Sequence, residues 1–421
     1  MSILPNGQTP NRVCPDGFLP EYLNYTKHSE SPEDFHFWTG VSLIASTLGR
    51  RIWKDHGYQK IYPNLYIVLV AGSAMLRKST AIRIAGGLLR EALKENLNFF
   101  SQKITTEALI QRLNELNTKI KRSEAIIESD EFATFLGKSH LDPSLLQILT
   151  DYYDCPDYRE YTTRSRGTEK MSDICINMRA GTTPEWLHSS LPEEAIGGGF
   201  WSRIIPIYRK EGARRIATPE DYFNDPIITS SRLKCIEDLK KMYELSGECK
   251  WSIDGKRTFT DWYMSEDFNN PSKYPGPLQG YYGRKGTTIL KLAMILSVSR
   301  GDSLMLTQDD VMQSVALLKD NEIFIKEVTD GLFKTDEGKK LDRVLELIKR
   351  WQPQGVPHSY ALNQSGMNAQ EFKLIMDTLE ASQEVFVQIN FSSKKMAKIY
   401  YYLPPERRTN TKPVPFESNK D

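Results

Sequence analysis

Cysteine is scarce in this sequence, and its distribution excludes two kinds of cysteine-based fold. The five cysteines lie far apart, and no C-x-x-C pair occurs. They are Cys14, Cys155, Cys175, Cys235 and Cys249. An odd, scattered set supports neither a disulfide framework nor a zinc ribbon, and the six histidines show no metal-ligand spacing. Reduced thiols in the cytosol fit this pattern better.

Long apolar segments and an excess of one charge are also lacking. The longest apolar runs, such as residues 65–72, are far shorter than the roughly 20 residues that span a bilayer. Residues 1–17 do not have the pattern of a secretory signal. We therefore expect no membrane partner and a cytoplasmic location, in the host cell if the protein is viral. The net charge of +1 excludes a histone-like polycation, although local basic patches can still bind nucleic acid.

The 421 residues imply two to four domains. Strands alternating with helices favour an α/β core with a parallel sheet, and its four apolar strands are predicted at residues 62–72, 124–130, 174–184 and 203–209. We predict an N-terminal arm (extended before residue 30) and helix over 1–50, the core over 51–225 and a helical lid region over 226–335. A helix–helix–helix–hairpin unit over 336–403 has the element order of a winged helix. A disordered tail is predicted over 404–421.

A phosphate-binding loop is predicted where the first apolar strand ends. Residues 72–80, GSAMLRKST, match the P-loop pattern G-x-x-x-x-G-K-[ST] except that Arg77 replaces the second glycine. In such loops the lysine, here Lys78, reaches the β- and γ-phosphates of ATP, and the hydroxyl of Ser79 binds Mg²⁺. The residues expected to bind the nucleotide are Gly72, Ser73, Arg77, Lys78, Ser79 and Thr80.

Arg77 leaves a second interpretation open. Glycine allows the positive φ and the close backbone approach that arginine disfavours. On that interpretation the segment is an ordinary polar turn between a strand and a helix.

Two adjacent carboxylates follow the second apolar strand. An aspartate at this place beside a P-loop can hold Mg²⁺, and the next glutamate can orient and deprotonate the attacking water. We therefore expect Asp130 to bind the metal and Glu131 to act as the base. The alternative is an ordinary acidic strand end.

The third and fourth strands add a hydroxyl and an arginine to this pattern. Thr183, after the third strand, is expected beside the γ-phosphate. Arg203, after the glycines of GGGFWSR (197–203), suits an arginine finger that reaches a neighbouring subunit. An ordinary turn and a surface arginine are the alternatives.

Together these motifs resemble the AAA+ helicase cores, including MCM-like ones, of phage and mobile-element replication proteins. Members of that group often have Arg-Lys where other P-loops have Gly-Lys, as in RKST at 77–80. SDEFA (129–133) is similar to their Walker B motif, TTPEWL (182–187) to the sensor-1 turn, and residues 281–300 to the lid helix, with Arg284 as the sensor-2 candidate. The resemblance implies a ring, usually a hexamer, that moves on single-stranded DNA, and such motors often accompany a primase.

Two basic segments are candidates for contact with DNA. YTTRSRGTEK (161–170) is predicted to form a hairpin, which in MCM-like motors points into the channel, and SSKKMAK (392–398) is the wing turn. Basic residues in such places can follow phosphates. The candidate residues are Arg164, Arg166, Lys170, Lys394 and Lys395. Solvated surface loops are the alternative, and a winged helix can equally bind protein.

The sequence therefore predicts an ATP- and Mg²⁺-dependent helicase that acts on single-stranded and forked DNA, with a primase or polymerase as a possible partner. Two other functions remain open. One is an ATP-binding initiator or loader that does not unwind DNA. The other is a non-catalytic DNA-binding adaptor with a degenerate loop.

Overall fold

The computed structural model describes most of residues 16–404. The residues within this range that it leaves out are 74, 102, 137–143, 165–166, 191–198, 213, 223–224, 268–277, 302, 330–335 and 393–394. The chain divides into two compact units, Met1–Leu332 and Phe333–Asp421. None of the helices in the described part is both long enough and apolar enough to cross a bilayer.

Short strands alternate with longer helices through the first unit. Its described strands are β1 (Ile52–His56), β2 (Gln59–Ile61), β3 (Tyr66–Val70), β4 (Phe99–Phe100), β5 (Glu124–Ser129), β6 (Tyr158–Thr163), β7 (Gly167–Ser172), β8 (Cys175–Thr182), β9 (Ile204–Tyr208), β10 (Gly247–Glu248), β11 (Lys250–Trp251) and β12 (Met305–Leu306). Its described α-helices are α1 (Phe18–Thr26), α2 (Glu33–Leu48), α3 (Lys78–Leu93), α4 (Thr106–Ile120), α5 (Phe132–Leu136), α6 (Ser144–Tyr152), α7 (Pro184–Ser190), α8 (Pro226–Glu244), α9 (Ile253–Ser265), α10 (Leu278–Arg300) and α11 (Gln308–Thr329).

Five parallel strands form the central sheet, in the order β4–β5–β8–β3–β9. β3 is buried at every position, as expected for a strand covered on both faces. Val70 at the end of β3 lies beside Thr182 of β8 and Tyr208 of β9. The α/β fold with a parallel sheet predicted from the sequence is therefore confirmed. Because the strands are parallel, the carboxyl ends of β3, β8 and β5 meet at one edge, where open α/β sheets bind ligands.

The N-terminal segment differs from the expectation. The sequence predicts an extended arm before residue 30, but α1 forms over Phe18–Thr26. Phe18 and Tyr22 are fully buried, and their rings stack with centroids 5.9 Å apart. Residues four apart share one face of a helix, so this short amphipathic segment is stabilised by packing against the unit's core.

A two-stranded hairpin of β6 and β7 occupies the segment predicted to contact DNA. Thr162 pairs with Thr168, and the left-handed Gly167 (φ +73°) follows the turn. Two asparagines of α4 hold its second strand: Asn117 Nδ2 donates to the Lys170 carbonyl oxygen at 3.0 Å, and Asn114 Oδ1 accepts from the Lys170 N–H at 3.1 Å. The hairpin is thus anchored at its base by α4.

The second unit has the predicted order of three helices and a hairpin, with one additional short strand. Its elements are α12 (Asp336–Arg350), β13 (Val356–Pro357), α13 (His358–Ser365), α14 (Ala369–Ala381), β14 (Val385–Ser392) and β15 (Lys395–Tyr402). The strands form an antiparallel sheet in the order β13–β15–β14. A capping box starts α14, because Asn368 and Glu371 each bond the other's backbone N–H. A separate apolar core around the fully buried Phe372 holds the unit together.

Candidate functional site

The loop between β3 and α3 folds around its own lysine. The Lys78 amino group donates to the carbonyl oxygens of Ala71 at 2.7 Å and Gly72 at 3.1 Å. Lys78 is also the first residue of α3, where backbone N–H groups have no intrahelical partner. An amino group at a helix N-terminus that follows a buried strand is an arrangement that can bind phosphate oxygens.

Arg77 adopts the left-handed conformation that glycine adopts most readily. Its φ is 50° and its ψ is 39°, which costs a non-glycine residue about 1–2 kcal/mol. Two residues that precede α2 hold it. The Ser31 hydroxyl donates to the Arg77 carbonyl oxygen at 2.8 Å, and Arg77 Nε donates to the Glu30 carboxylate at 2.9 Å. The absence of the second glycine therefore does not prevent a left-handed turn at this position.

Two carboxylates influence the pKa of the Lys78 amino group. Burial lowers the pKa of its amino group, and Glu131 and Glu185 oppose this effect because they favour the charged form. Glu131 is the second residue after β5, and Glu185 lies in the first turn of α7. The predicted base Glu131 therefore lies within electrostatic range of the loop lysine, as does Glu185, which sequence reasoning missed.

Asp130 directly follows β5, and its side chain contacts the second turn of α3. Its carboxylate accepts a hydrogen bond from Arg83 Nε at 2.6 Å. Arg83 follows Ser79 by four residues, so the two side chains share one face of α3. The Ser129 hydroxyl donates to the carbonyl oxygen of Glu131 at 2.7 Å, which orders the backbone after the strand. The Arg83–Asp130 contact therefore joins the segment after β5 to the face of α3 that carries Ser79.

The two threonines after Gly181 have different surroundings. The Thr183 hydroxyl accepts a hydrogen bond from the Trp186 N–H at 3.2 Å and caps α7. The Thr182 hydroxyl is buried and has no hydrogen-bond partner within the described part of the chain. Because β8 lies between β3 and β5, both residues lie at the sheet edge between the ends of these two strands. A Cβ at Gly181 would lie 2.7 Å from the carbonyl oxygen of Asp130, so glycine permits this close approach.

The two predicted arginines lie at the opposite edge of the sheet. Arg203 immediately precedes β9, whose first residue pairs with the first residue of β3. Five strand residues, or about 15 Å, therefore separate this edge from the loop. Arg203 donates to the Asp154 carboxylate at 2.7 Å, and Arg284 of α10 donates to its other oxygen at 3.4 Å. The structure brings these two arginines together, away from Lys78 of the same chain.

The basic residues proposed to contact DNA are only partly described. Arg164 is exposed at the end of β6, and Lys170 of β7 is 61% exposed and lies 3.7 Å from Glu160. Arg166 and Lys394 lie outside the described residues, as does the side chain of Lys395. The hairpin itself is confirmed, whereas its contact with DNA stays a prediction.

The residues at the loop fit a magnesium ion that arrives with a nucleotide. The part of the chain that the structure describes has no group of three or more His, Cys, Asp or Glu side chains able to hold a metal. Mg²⁺ does not require one, because it binds through one or two carboxylates together with phosphates and waters. The Asp130 carboxylate, one-third exposed and paired with Arg83, and the Ser79 hydroxyl are the oxygen donors that such an ion would use.

The sequence motifs did not predict the contacts that join residues far apart in the sequence. Glu30 and Ser31 are more than 40 positions before Arg77, and Asp154 is far from both of its arginines. No model of a known protein family matches this chain, and a comparison with curated proteins finds none that is significantly similar.

Proposed function

We propose that this chain is a P-loop ATPase of the AAA+ type that moves on single-stranded DNA as a replicative helicase. The observation that supports it best is the shared edge of β3, β8 and β5. Lys78 and the Asp130–Glu131 pair come after β3 and β5, and Thr182–Thr183 lie at the end of β8 between these strands. A lysine, two hydroxyl groups and a carboxylate pair therefore share one edge of the sheet. A polar turn without function does not require this combination.

Each of these residues has a distinct role in ATP hydrolysis. Lys78 and the N–H groups at the start of α3 bind the β- and γ-phosphates. Mg²⁺, held by Ser79 and Asp130, would neutralise charge on those phosphates. Glu131 takes a proton from the attacking water. Glu131 is exposed, which leaves space for that water, and Thr183 or the unpartnered Thr182 hydroxyl bonds a γ-phosphate oxygen.

The placement of Arg203 and Arg284 supports assembly of several copies. Neither side chain can reach the phosphates bound by its own Lys78, because the length of the sheet separates the two edges. In a ring with head-to-tail contacts, the arginine edge of one copy faces the phosphate loop of the next. Arg203 and Arg284 then stabilise transition-state charge in the neighbouring site, and a hexamer is the ring size that the resemblance implies.

The test of this proposal is ATP hydrolysis by the purified chain with and without single-stranded DNA. We expect turnover that DNA stimulates and that Lys78→Ala abolishes. Strand displacement on a forked DNA with single-stranded tails then distinguishes a helicase from an initiator or loader, which would hydrolyse or bind ATP without unwinding. A folded wild type that neither binds nor hydrolyses ATP would support the adaptor function instead.

The β6–β7 hairpin offers a separate test of DNA contact. We expect the double variant Arg164→Ala/Lys170→Ala to lose DNA stimulation and to keep its DNA-free turnover. Each lost phosphate contact lowers the slope of log affinity against log salt for single strands by about 0.7. The measurement is DNA binding by fluorescence anisotropy at several salt concentrations.

The matched control is Lys256→Ala/Arg257→Ala, which removes two exposed positive charges from α9. It is expected to keep the wild-type salt slope. Equal slopes for the wild type and the hairpin variant would show that the hairpin does not contact phosphates.

A further inference from the structure

Asp154 is the meeting point of the two arginines at the edge opposite the phosphate loop. It lies in the turn after α6 and accepts from Arg203 on one carboxylate oxygen and from Arg284 on the other. Arg203 comes from the 3₁₀ turn before β9 and Arg284 from the first third of α10. One carboxylate therefore joins three elements that are distant in the sequence.

The turn that contains Asp154 is held firmly in place. The carbonyl oxygen of Tyr153 accepts from Asn64 Nδ2 at 2.8 Å, and Asn64 also binds the buried amino group of Lys291 at 2.7 Å. That amino group lies 3.8 Å from the centroid of the Tyr153 ring. The Asp154 N–H donates to the Asp151 carbonyl oxygen at 3.2 Å. The position of the carboxylate is thus set by α10, by the start of β3 and by α6.

The two guanidinium groups depend on a shared anion. Burial lowers the pKa of Arg284, the positive charge of Arg203 lowers it further, and Asp154 opposes both effects. Arg203 is 8% exposed, and its other bond goes to the Gly199 carbonyl oxygen at 2.9 Å. A neutral side chain at position 154 would leave two neighbouring positive charges without their common carboxylate, and their repulsion would move the more exposed Arg284.

We propose that Asp154 is a positioning residue that sets the orientation of Arg203 and Arg284 toward ATP bound by the adjacent copy of this chain. The inference rests on the proposed function, and it assigns to Asp154 a role in the neighbour's site. Asp154 itself does not touch the nucleotide. Its carboxylate is 53% exposed and Arg284 is 33% exposed, whereas Arg203 is 8% exposed, so Asp154 and Arg284 form the part of this cluster that is accessible from the surface of the subunit.

The experiment compares Asp154→Asn, Asp154→Glu and wild type in steady-state ATP hydrolysis. Misplacement of a catalytic group by about 1 Å can reduce a rate about 100-fold, and we expect Asp154→Asn to lower kcat by about 10- to 100-fold. Its KM for ATP should change less than about threefold, because the subunit's own phosphate loop is intact. Asp154→Glu keeps the charge and should recover part of kcat. Circular dichroism melting confirms that each variant is folded.

Mixing Asp154→Asn with Lys78→Ala tests whether Asp154 acts on the neighbouring site, because a purely structural defect would not be rescued by the other variant. Asp154→Asn has an intact phosphate loop and a defective arginine edge, whereas Lys78→Ala has the reverse. In rings assembled from equal amounts, about a quarter of the interfaces would combine the two intact parts, so the mixture should recover about a quarter of wild-type turnover. A mixture of Arg203→Ala with Lys78→Ala is the control for the placement of the arginine.

The outcomes separate the inference from the function on which it rests. Recovery in both mixtures supports Asp154 as a positioning residue. Recovery in the Arg203 mixture but not in the Asp154 mixture overturns the inference and leaves the proposed function standing. An Asp154→Asn variant with wild-type kcat also overturns it. A folded wild type without turnover overturns both.

Discussion

Replacing Glu131 by glutamine is expected to stop ATP turnover while ATP binding continues. The substitution keeps the size of the side chain and removes its ability to accept a proton from water. Loss of a general base typically costs about 10²–10⁴-fold in rate. Lys78→Ala differs, because it removes the amino group that binds the phosphates and should weaken ATP binding as well. The measurements are steady-state phosphate release and titration with a fluorescent ATP analogue in the presence of Mg²⁺.

Glu185→Gln is the matched comparison for Glu131→Gln. Both carboxylates favour the charged form of Lys78, but Glu131 lies next to Asp130 in the segment after β5, whereas Glu185 lies in the first turn of α7. If Glu131 acts as a base, Glu185→Gln should lower turnover by less than about tenfold, which is well below the effect of losing a base. Equal losses in the two variants would mean that Glu131 contributes only its charge. Turnover near the wild-type rate in Glu131→Gln would exclude it as the base.

Replacing Arg179 by methionine is expected to destabilise the first unit by about 3–5 kcal/mol, because it removes the fully buried partner of the Glu128 carboxylate. Arg179 of β8 is fully buried, and its Nε donates to the Glu128 carboxylate of β5 at 2.7 Å. Glu128 is 8% exposed, and it also accepts from Arg90 of α3 at 2.7 Å. The more exposed Arg90 cannot replace the lost bond. The measurement is the midpoint of urea unfolding followed by tryptophan fluorescence.

The double variant Arg179→Met/Glu128→Met is the control for this prediction. Buried ion pairs replaced by apolar residues of similar size often leave stability unchanged or higher, so the double variant should recover most of the loss. Trp351 is the only tryptophan of the second unit, so the fluorescence change mainly reports the first unit. A single variant that costs less than about 1 kcal/mol would show that Glu128 finds enough compensation from Arg90 and solvent.

Arg77 illustrates how a departure from a motif can be compatible with the structure that the motif requires. The left-handed conformation is unfavourable for arginine, and the side-chain hydroxyl of Ser31 and the carboxylate of Glu30 hold it there. Glu30 is itself placed by bonds from the backbone N–H groups of Arg214 and Ile216. The segment before α2 therefore stabilises a left-handed conformation that glycine would adopt without such contacts.

The sequence by itself determined the local elements of this protein. Continuous apolar runs specified the buried strands β3, β5, β8 and β9, and helical spacing of apolar residues specified α2, α3 and α4, because these patterns depend on neighbours within a few positions. The polar residues directly after the strands were visible for the same reason. A parallel sheet then requires that they share one edge, so the loop, the carboxylates and the threonines could be predicted as a group.

Only the tertiary structure decided which distant residues meet. The strand order places β8 between β3 and β5, and thus Thr182 between Lys78 and Asp130, which no local pattern specifies. The helix α1 is too short for its propensity to predict it, and it exists because the core covers Phe18 and Tyr22. The pairing of Arg203 and Arg284 on Asp154 joins residues separated by up to 130 positions. Such contacts depend on the packing of whole elements, so the sequence around each residue does not predict them.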